Sequence, residues 1–203
     1  MNAIRVIVAD DETLVRDALE AILNLQDDID VVAVASDGTE AIAQIAHHAP
    51  DVAVLDLQMP GAHGIEVTEK AGELSPSTRC MILTSHARPG YLKRSLAAGA
   101  RSFLPKTTSA DGLAKIIRRV YEGQRYVDPE LSAEAIAAGD SPLTSREADV
   151  LELAAEGAPI DEIAARAHLS VGTVRNYLSS AAIKLDAPNR HVAAEFARAK
   201  GWI

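Results

Sequence analysis

The 203-residue chain is 48% apolar and 24% charged, a balance that excludes a disordered or fibrous protein. No apolar run approaches the roughly 18 residues a membrane span needs, the N-terminus carries no signal-peptide pattern, and the single cysteine, Cys80, excludes an internal disulfide. The net charge of −9 speaks against non-specific nucleic-acid binding by the chain as a whole, and the expected location is cytoplasmic, without membrane insertion.

Taken in order, Ile4–Ala9 reads as a strand and Glu12–Leu25 as a helix whose apolar face is broad. Val31–Ala35 is a second strand. Asp37-Gly38-Thr39-Glu40 has capping-box spacing and opens a helix to His48. Asp51–Leu55 is a third strand, and the Pro60-Gly61 turn leads to a helix over Ile65–Leu74. Arg79–Leu83 is a fourth strand. Pro89 opens a helix that ends near Gly99. Ser102–Leu104 is a fifth strand and Ser109–Glu122 a fifth helix. Five strand–helix alternations predict a doubly wound, five-stranded parallel sheet of the flavodoxin-like kind over residues 1–122.

Residues 123–142 break the alternation and read as an acidic linker, with room for a short helix at 130–138. After it the strands stop. Thr144-Ser145-Arg146-Glu147 is another capping box, and helices follow through Glu156 and over 160–167, 171–185 and 190–200. This is an all-α, four-helix unit, residues 143–203, containing a helix-turn-helix pattern. Within it, 163–203 hold six Lys/Arg against two Asp/Glu, the one basic concentration of note.

The chemistry gathers at strand ends. Asp10 and Asp11 follow the first strand, Asp56 the third, Thr84 the fourth, and Lys106 the fifth. In the flavodoxin-like order the first and third strands are neighbours at the switch point, where ligands bind. Three converging carboxylates need a compensating cation, and Mg²⁺ suits an oxygen-only site that also faces phosphate. A lysine and a hydroxyl beside them describe a site for phosphoryl transfer to an aspartate. The remaining histidines, His47, His48, His63, His168 and His191, show no metal-cage spacing.

Asp10-Asp11, Asp56 with Pro60-Gly61, Thr84 and Lys106 resemble the motifs of two-component receiver domains. The resemblance implies that Asp56 accepts phosphate from a sensor histidine kinase. It implies that Asp10, Asp11, Asp56 and the Gln58 backbone carbonyl hold Mg²⁺, and that Thr84 and Lys106 contact the phosphoryl group. Phe103 falls at the family's aromatic switch position, and Gln58 and His86 at positions that tune dephosphorylation. On this reading the chain is not an enzyme. It is a phosphoacceptor that assists its own phosphorylation and dephosphorylation.

Leu143–Ile203 resembles the DNA-binding domain of the NarL/FixJ (LuxR-type) regulators, through Glu147, Gly157, Glu162-Ile163-Ala164, Leu169-Ser170 and Thr173-Val174-Arg175. The resemblance implies a recognition helix over 171–185 that presents Thr173, Arg175, Asn176 and Ser179 to promoter DNA, with Lys184 nearer phosphate. Asp161, Ile160 and Ser179 depart from common members, which carry more polar or cationic residues there. Fewer cations mean weaker monomer binding, so affinity should lean on a homodimer. Phosphorylation is expected to promote that dimer through the first and fifth receiver helices, whose apolar residues exceed what one buried face requires. Residues 87–91, 172–177 and 200–203 are similar to the branch of the family that controls lipid-desaturase expression, which implies membrane-lipid desaturation genes as targets. The alternatives are a Mg²⁺-dependent aspartyl phosphatase, which would want a second aspartate where Gln58 stands, and a transcription factor that works without phosphate.

Overall fold

The computed structural model describes residues 3–85, 87–167 and 169–203; His86 and His168 lie outside the described residues. By their internal packing the residues fall into two units: 1–87 with 92–129, and 130–203 with Arg88–Tyr91.

The first unit is built on β1 (Ile4–Ala9), β2 (Ile29–Ala35), β3 (Val52–Leu55), β4 (Arg79–Thr84) and β5 (Ser102–Pro105). Between them run α1 (Thr13–Asn24), α2 (Gly38–His48), α3 (Gly64–Leu74) and α4 (Pro89–Ala97), which belongs to this unit from Leu92 onward, and α5 (Ala110–Tyr121) follows. All strand pairs are parallel, in the order β2-β1-β3-β4-β5, with β1 between β2 and β3. The expected doubly wound topology is therefore present, with its switch point between β1 and β3.

Burial on both faces explains the continuous apolar strands. Ile4, Val6 and Val8 of β1 join Val52 and Val54 of β3 in one core. Met81 and Leu83 of β4 lie there too, with Leu113, Ile117 and Val120 of α5. Alternate residues, including Ile7, Leu55, Ile82 and Phe103, are fully buried as well. Cys80 is buried among them, and burial pushes its thiol up to about 12.

One element went beyond the expected five strands. β6 (Tyr126–Val127) adds a sixth, pairing in parallel with Ser102 and Phe103, and the Tyr126 amide donates to the Arg101 carbonyl at 3.0 Å. Two residues are too few to carry a strand periodicity, which is why the sequence reads as linker there. The helix expected at 130–138 is present as α6 (Pro129–Ala138). Residues 123–142 thus contribute a strand to the sheet and a helix to the second unit.

That second unit is otherwise all-helical: α7 (Ser145–Ala155), α8 (Ile160–Arg166), α9 (Val171–Lys184) and α10 (Arg190–Ala199). Its core is aliphatic, centred on Val150, Leu151, Ile163, Val174 and Leu178. No helix among the described residues is long and apolar enough to cross a membrane.

Candidate functional site

Parallel pairing delivers the ends of β1, β3, β4 and β5 to one edge of the sheet, and the ladder continues one residue past β3 and β5. The Asp56 amide donates to the Ala9 carbonyl at 2.8 Å, and the Lys106 amide donates to the Thr84 carbonyl at 2.8 Å. Backbone hydrogen bonds therefore hold the bases of the Asp56 and Lys106 side chains. The segment after Asp56 is fixed by close approach. The Gly38 amide donates to the Pro60 carbonyl and the Gly64 amide to the Leu57 carbonyl, both at 2.9 Å. A Cβ at Gly64 would collide with the Asp56 carbonyl, and one at Gly38 with the Ala62 carbonyl, so glycine is the residue that fits at both.

These constraints bring together residues far apart in sequence. Carboxylate oxygens of Asp10, Asp11 and Asp56 all lie within 4.8 Å of one another. Asp10, Asp56 and Thr84 are buried, whereas Asp11 is exposed. Lys106 Nζ lies 2.8 Å from Asp10 Oδ2, 2.8 Å from Glu12 Oε1 and 3.6 Å from Asp56 Oδ1. Gln58 is half-buried in the loop after Asp56, and Phe103 is fully buried on β5.

The electrostatics follow from this crowding. Burial raises the Asp56 carboxyl to about 6; Lys106 opposes the rise and the charges of Asp10 and Asp11 add to it. Burial also works against the Lys106 ammonium, but its hydrogen bonds to Asp10 and Glu12 outweigh that and raise its pKa. Lys106 in turn holds the Glu12 carboxyl below the usual range. Three carboxylates thus gather around one ammonium, and the fourth, Asp11, lies within 4.8 Å of Asp10 and Asp56. The surplus of negative charge on hard oxygen donors fits a dication such as Mg²⁺, which tolerates a few carboxylates and keeps waters for a phosphate ligand. Asp10, Asp11 and Asp56 are the residues present to hold it.

The second unit carries a different polar arrangement. Ser170 caps α9, accepting from the Thr173 amide at 3.1 Å. Val174, Leu178 and Ala181 bury one face of α9. Arg175, Asn176 and Ser179 are exposed, and their spacing by three and four residues puts them on one side of the helix. Thr173 is half-buried at its start. Lys184, for which the family resemblance implies a place nearer phosphate, donates to Glu147 Oε2 at 2.7 Å, while Ser180 donates to Glu147 Oε1 at 2.6 Å. The Thr144 amide also donates to Glu147 at 2.7 Å. Burial of Glu147 raises its pKa, but Lys184, Ser180 and Thr144 together bring it down to about 2.

Two residues have roles beyond their local sequence signals. Glu12 carries only the signal of a helix start, although it directly follows the Asp10-Asp11 pair. Glu147 carries the signal of a capping box. That part holds, but its partner Lys184 is 37 residues away, and local spacing cannot reveal it.

Comparison with known proteins agrees with this geometry. Residues 6–118 match the response regulator receiver domain, and residues 141–197 match the bacterial regulatory proteins of the luxR family. The chain is 40% identical over 200 residues to the uncharacterized transcriptional regulatory protein YvfU of Bacillus subtilis, covering 98% of this chain and 100% of that one. It is 39% identical over 199 residues to the transcriptional regulatory protein DesR of the same organism, covering 98% of each. Among solved structures, the RcsB response regulator of Salmonella typhimurium is 27% identical with a TM-score of 0.79, over 99% of this chain and 100% of that one. RcsB has also been solved as two dimers bound to two parallel DNAs, at 26% identity and a TM-score of 0.65, covering 97% of this chain and 98% of that one.

Proposed function

The chain belongs to the NarL/FixJ-type response regulators, with a receiver domain and a LuxR-type DNA-binding domain, and from that premise we propose that Asp56 accepts a phosphoryl group from a sensor histidine kinase in the cytoplasm and thereby controls transcription. The observation that carries this reading is the convergence of Asp10, Asp56 and Lys106 at one sheet edge, with Lys106 Nζ within 3.6 Å of Asp56 Oδ1.

In the transfer, an ionised Asp56 oxygen attacks phosphorus and forms the new P–O bond. The bond between phosphorus and the donor breaks, and its electron pair leaves with the donor, the kinase imidazole or the acetate of acetyl phosphate. Lys106 and Thr84 then donate hydrogen bonds to the phosphoryl oxygens. Asp10, Asp11, Asp56 and the Gln58 carbonyl would hold Mg²⁺, which supplies charge neutralisation between the carboxylates and the phosphoryl group. Phe103, buried on β5, is the residue proposed to follow a shift of Thr84.

The phosphorylated form is proposed to dimerise through α1 and α5. Support is uneven between the two helices. Leu14 and Leu25, at the two ends of α1, are 83% and 79% exposed, whereas in α5 Leu113, Ile116, Ile117 and Val120 are buried and only Tyr121 is an exposed large apolar residue. The surplus apolar surface therefore lies mainly on α1. Two output domains would then meet paired half-sites in promoter DNA, with Thr173, Arg175, Asn176 and Ser179 of α9 facing the major groove. Arginine pairs with guanine and asparagine with adenine, which supplies sequence discrimination. The proposed targets are membrane-lipid desaturation genes, a reading supported by the short stretches 87–91, 172–177 and 200–203 alone.

The test is incubation of the full chain with acetyl phosphate and Mg²⁺, read by intact mass. Wild type gains one phosphoryl group and Asp56→Ala gains none. No added mass in wild type would favour phosphate-independent control, and mass that persists in the mutant would move the acceptor elsewhere.

A further inference from the structure

Lys106 is the cation that a phosphoryl group on Asp56 would need, yet it already has partners. Its ammonium lies 2.8 Å from Asp10 Oδ2 and 2.8 Å from Glu12 Oε1, closer to both than to Asp56 Oδ1 at 3.6 Å. An ammonium has three N–H donors. Two are committed before any phosphate arrives.

The two committed partners differ. Asp10 is buried, follows β1 and receives the Glu12 amide at 2.9 Å on its other oxygen, so it is fixed on both sides. The Glu12 side chain is 59% exposed, with Lys106 its hydrogen-bond partner. Glu12 occupies the N-cap position of α1 without making a side-chain cap bond, so its carboxylate is not tied to the helix. It reaches across to Lys106, which is 94 residues away in sequence and only 13% exposed. An exposed carboxylate on a flexible stem is the partner most easily displaced.

We infer that Glu12 is a positioning residue that acts through Lys106: its carboxylate stands in for a phosphoryl oxygen, holds the ammonium away from Asp56, and must be displaced when Asp56 is phosphorylated. The inference rests on the assignment of Asp56 as phosphoacceptor. Glu12 competes with the incoming oxygens for one N–H donor of Lys106. A weaker acceptor at position 12 therefore releases that donor, and the phosphorylated state forms more readily.

The experiment uses the full chain at saturating Mg²⁺, with acetyl phosphate as donor and intact mass as the readout. The acetyl C–O–P linkage breaks at phosphorus, the Asp56 oxygen takes the phosphoryl group, and acetate leaves with the electron pair. Glu12→Gln, which keeps the side-chain shape, is expected to label about two- to fivefold faster than wild type, the range an exposed charge pair supports. In a Lys106→Ala background the same substitution is expected to change nothing. The ¹⁵N resonance of the Lys106 ammonium, followed without any phosphoryl donor, is expected to move in Glu12→Gln.

A rate equal to or below wild type in Glu12→Gln would overturn the inference. So would an equal acceleration with and without Lys106, which would mean that only the general field at the site had changed. An unmoved Lys106 resonance would overturn it also where the Lys106→Ala rates are too slow to follow. Failure of the phosphoacceptor reading looks different: wild type itself would gain no mass.

Discussion

Each unit of the molecule sets a lysine against carboxylates, and the two settings have opposite character. Around Lys184 there is one buried carboxylate, Glu147, whose oxygens are met by an ammonium, a hydroxyl and a backbone amide. Its charge is matched, and its pKa falls to about 2. Around Lys106 there are Asp10, Glu12 and Asp56, with Asp11 beside the two aspartates, and the Asp56 carboxyl is pushed up to about 6. A matched pair is a structural joint, here fastening α9, the proposed recognition helix, to α7. An unmatched cluster is a site waiting for a ligand that supplies what it lacks.

The joint should be the costlier of the two to break. Glu147→Ala leaves the Lys184 ammonium, the Ser180 hydroxyl and the Thr144 amide without their shared acceptor, and is expected to cost about 2 kcal/mol, the scale of donors left without a charged acceptor in a half-buried setting. Urea unfolding of the full chain, followed by a probe in the second unit such as Trp202, measures it. The pH sign follows from the depressed pKa. Glu147 contributes its stability above about 4.5, the ordinary glutamate value, and loses it as pH falls towards about 2. A transition in the second unit unaffected by Glu147→Ala would show the joint to be idle.

The waiting site should respond the other way. The Asp56 carboxyl is raised, so its contribution to folding is present in full below about 3.8 and is lost as pH rises through about 6. At pH 7.5 without metal, Asp56→Asn removes a disfavoured charge and is expected to stabilise the first unit by about 1–3 kcal/mol. Adding Mg²⁺ should reverse the order, because the wild-type carboxylates then gain a compensating charge that the variant holds less well. Thermal unfolding in chelator and in Mg²⁺ tests both halves. A destabilised Asp56→Asn in chelator would mean that the cluster is already balanced.

The sequence revealed different amounts of these two places, for physical reasons. Asp10, Asp11, Asp56, Thr84 and Lys106 were legible because a parallel sheet puts every strand end on one edge, so topology alone makes distant residues neighbours. The five strands were legible because burial on both faces demands long apolar runs. β6 was not, because Tyr126–Val127 is too short for any period and is held by pairing with Ser102–Phe103 and by packing of Tyr126 against the core. The Glu12–Lys106 and Glu147–Lys184 contacts were not legible either. Both depend on which way a long, flexible side chain turns, and backbone periodicity carries no record of that choice.

The smallest expected effect separates two uses of Lys184. As a basic residue near the end of α9 it has the position of a phosphate contact, but its ammonium is committed to Glu147 at 2.7 Å and its side chain is 35% exposed. A lysine that neutralises a DNA phosphate releases a counterion, and its removal lowers the slope of log affinity against log salt by about 0.9 per contact. A lysine spent inside the fold contributes nothing to that slope, even when its loss weakens binding by loosening α9. Lys184→Met is therefore expected to lower affinity at every salt concentration while leaving the slope unchanged, as measured by titrating the phosphorylated full chain onto its operator across a salt series. A slope reduced by about one per protomer would instead mean that DNA draws the ammonium away from Glu147, and the joint between α7 and α9 would then open on binding.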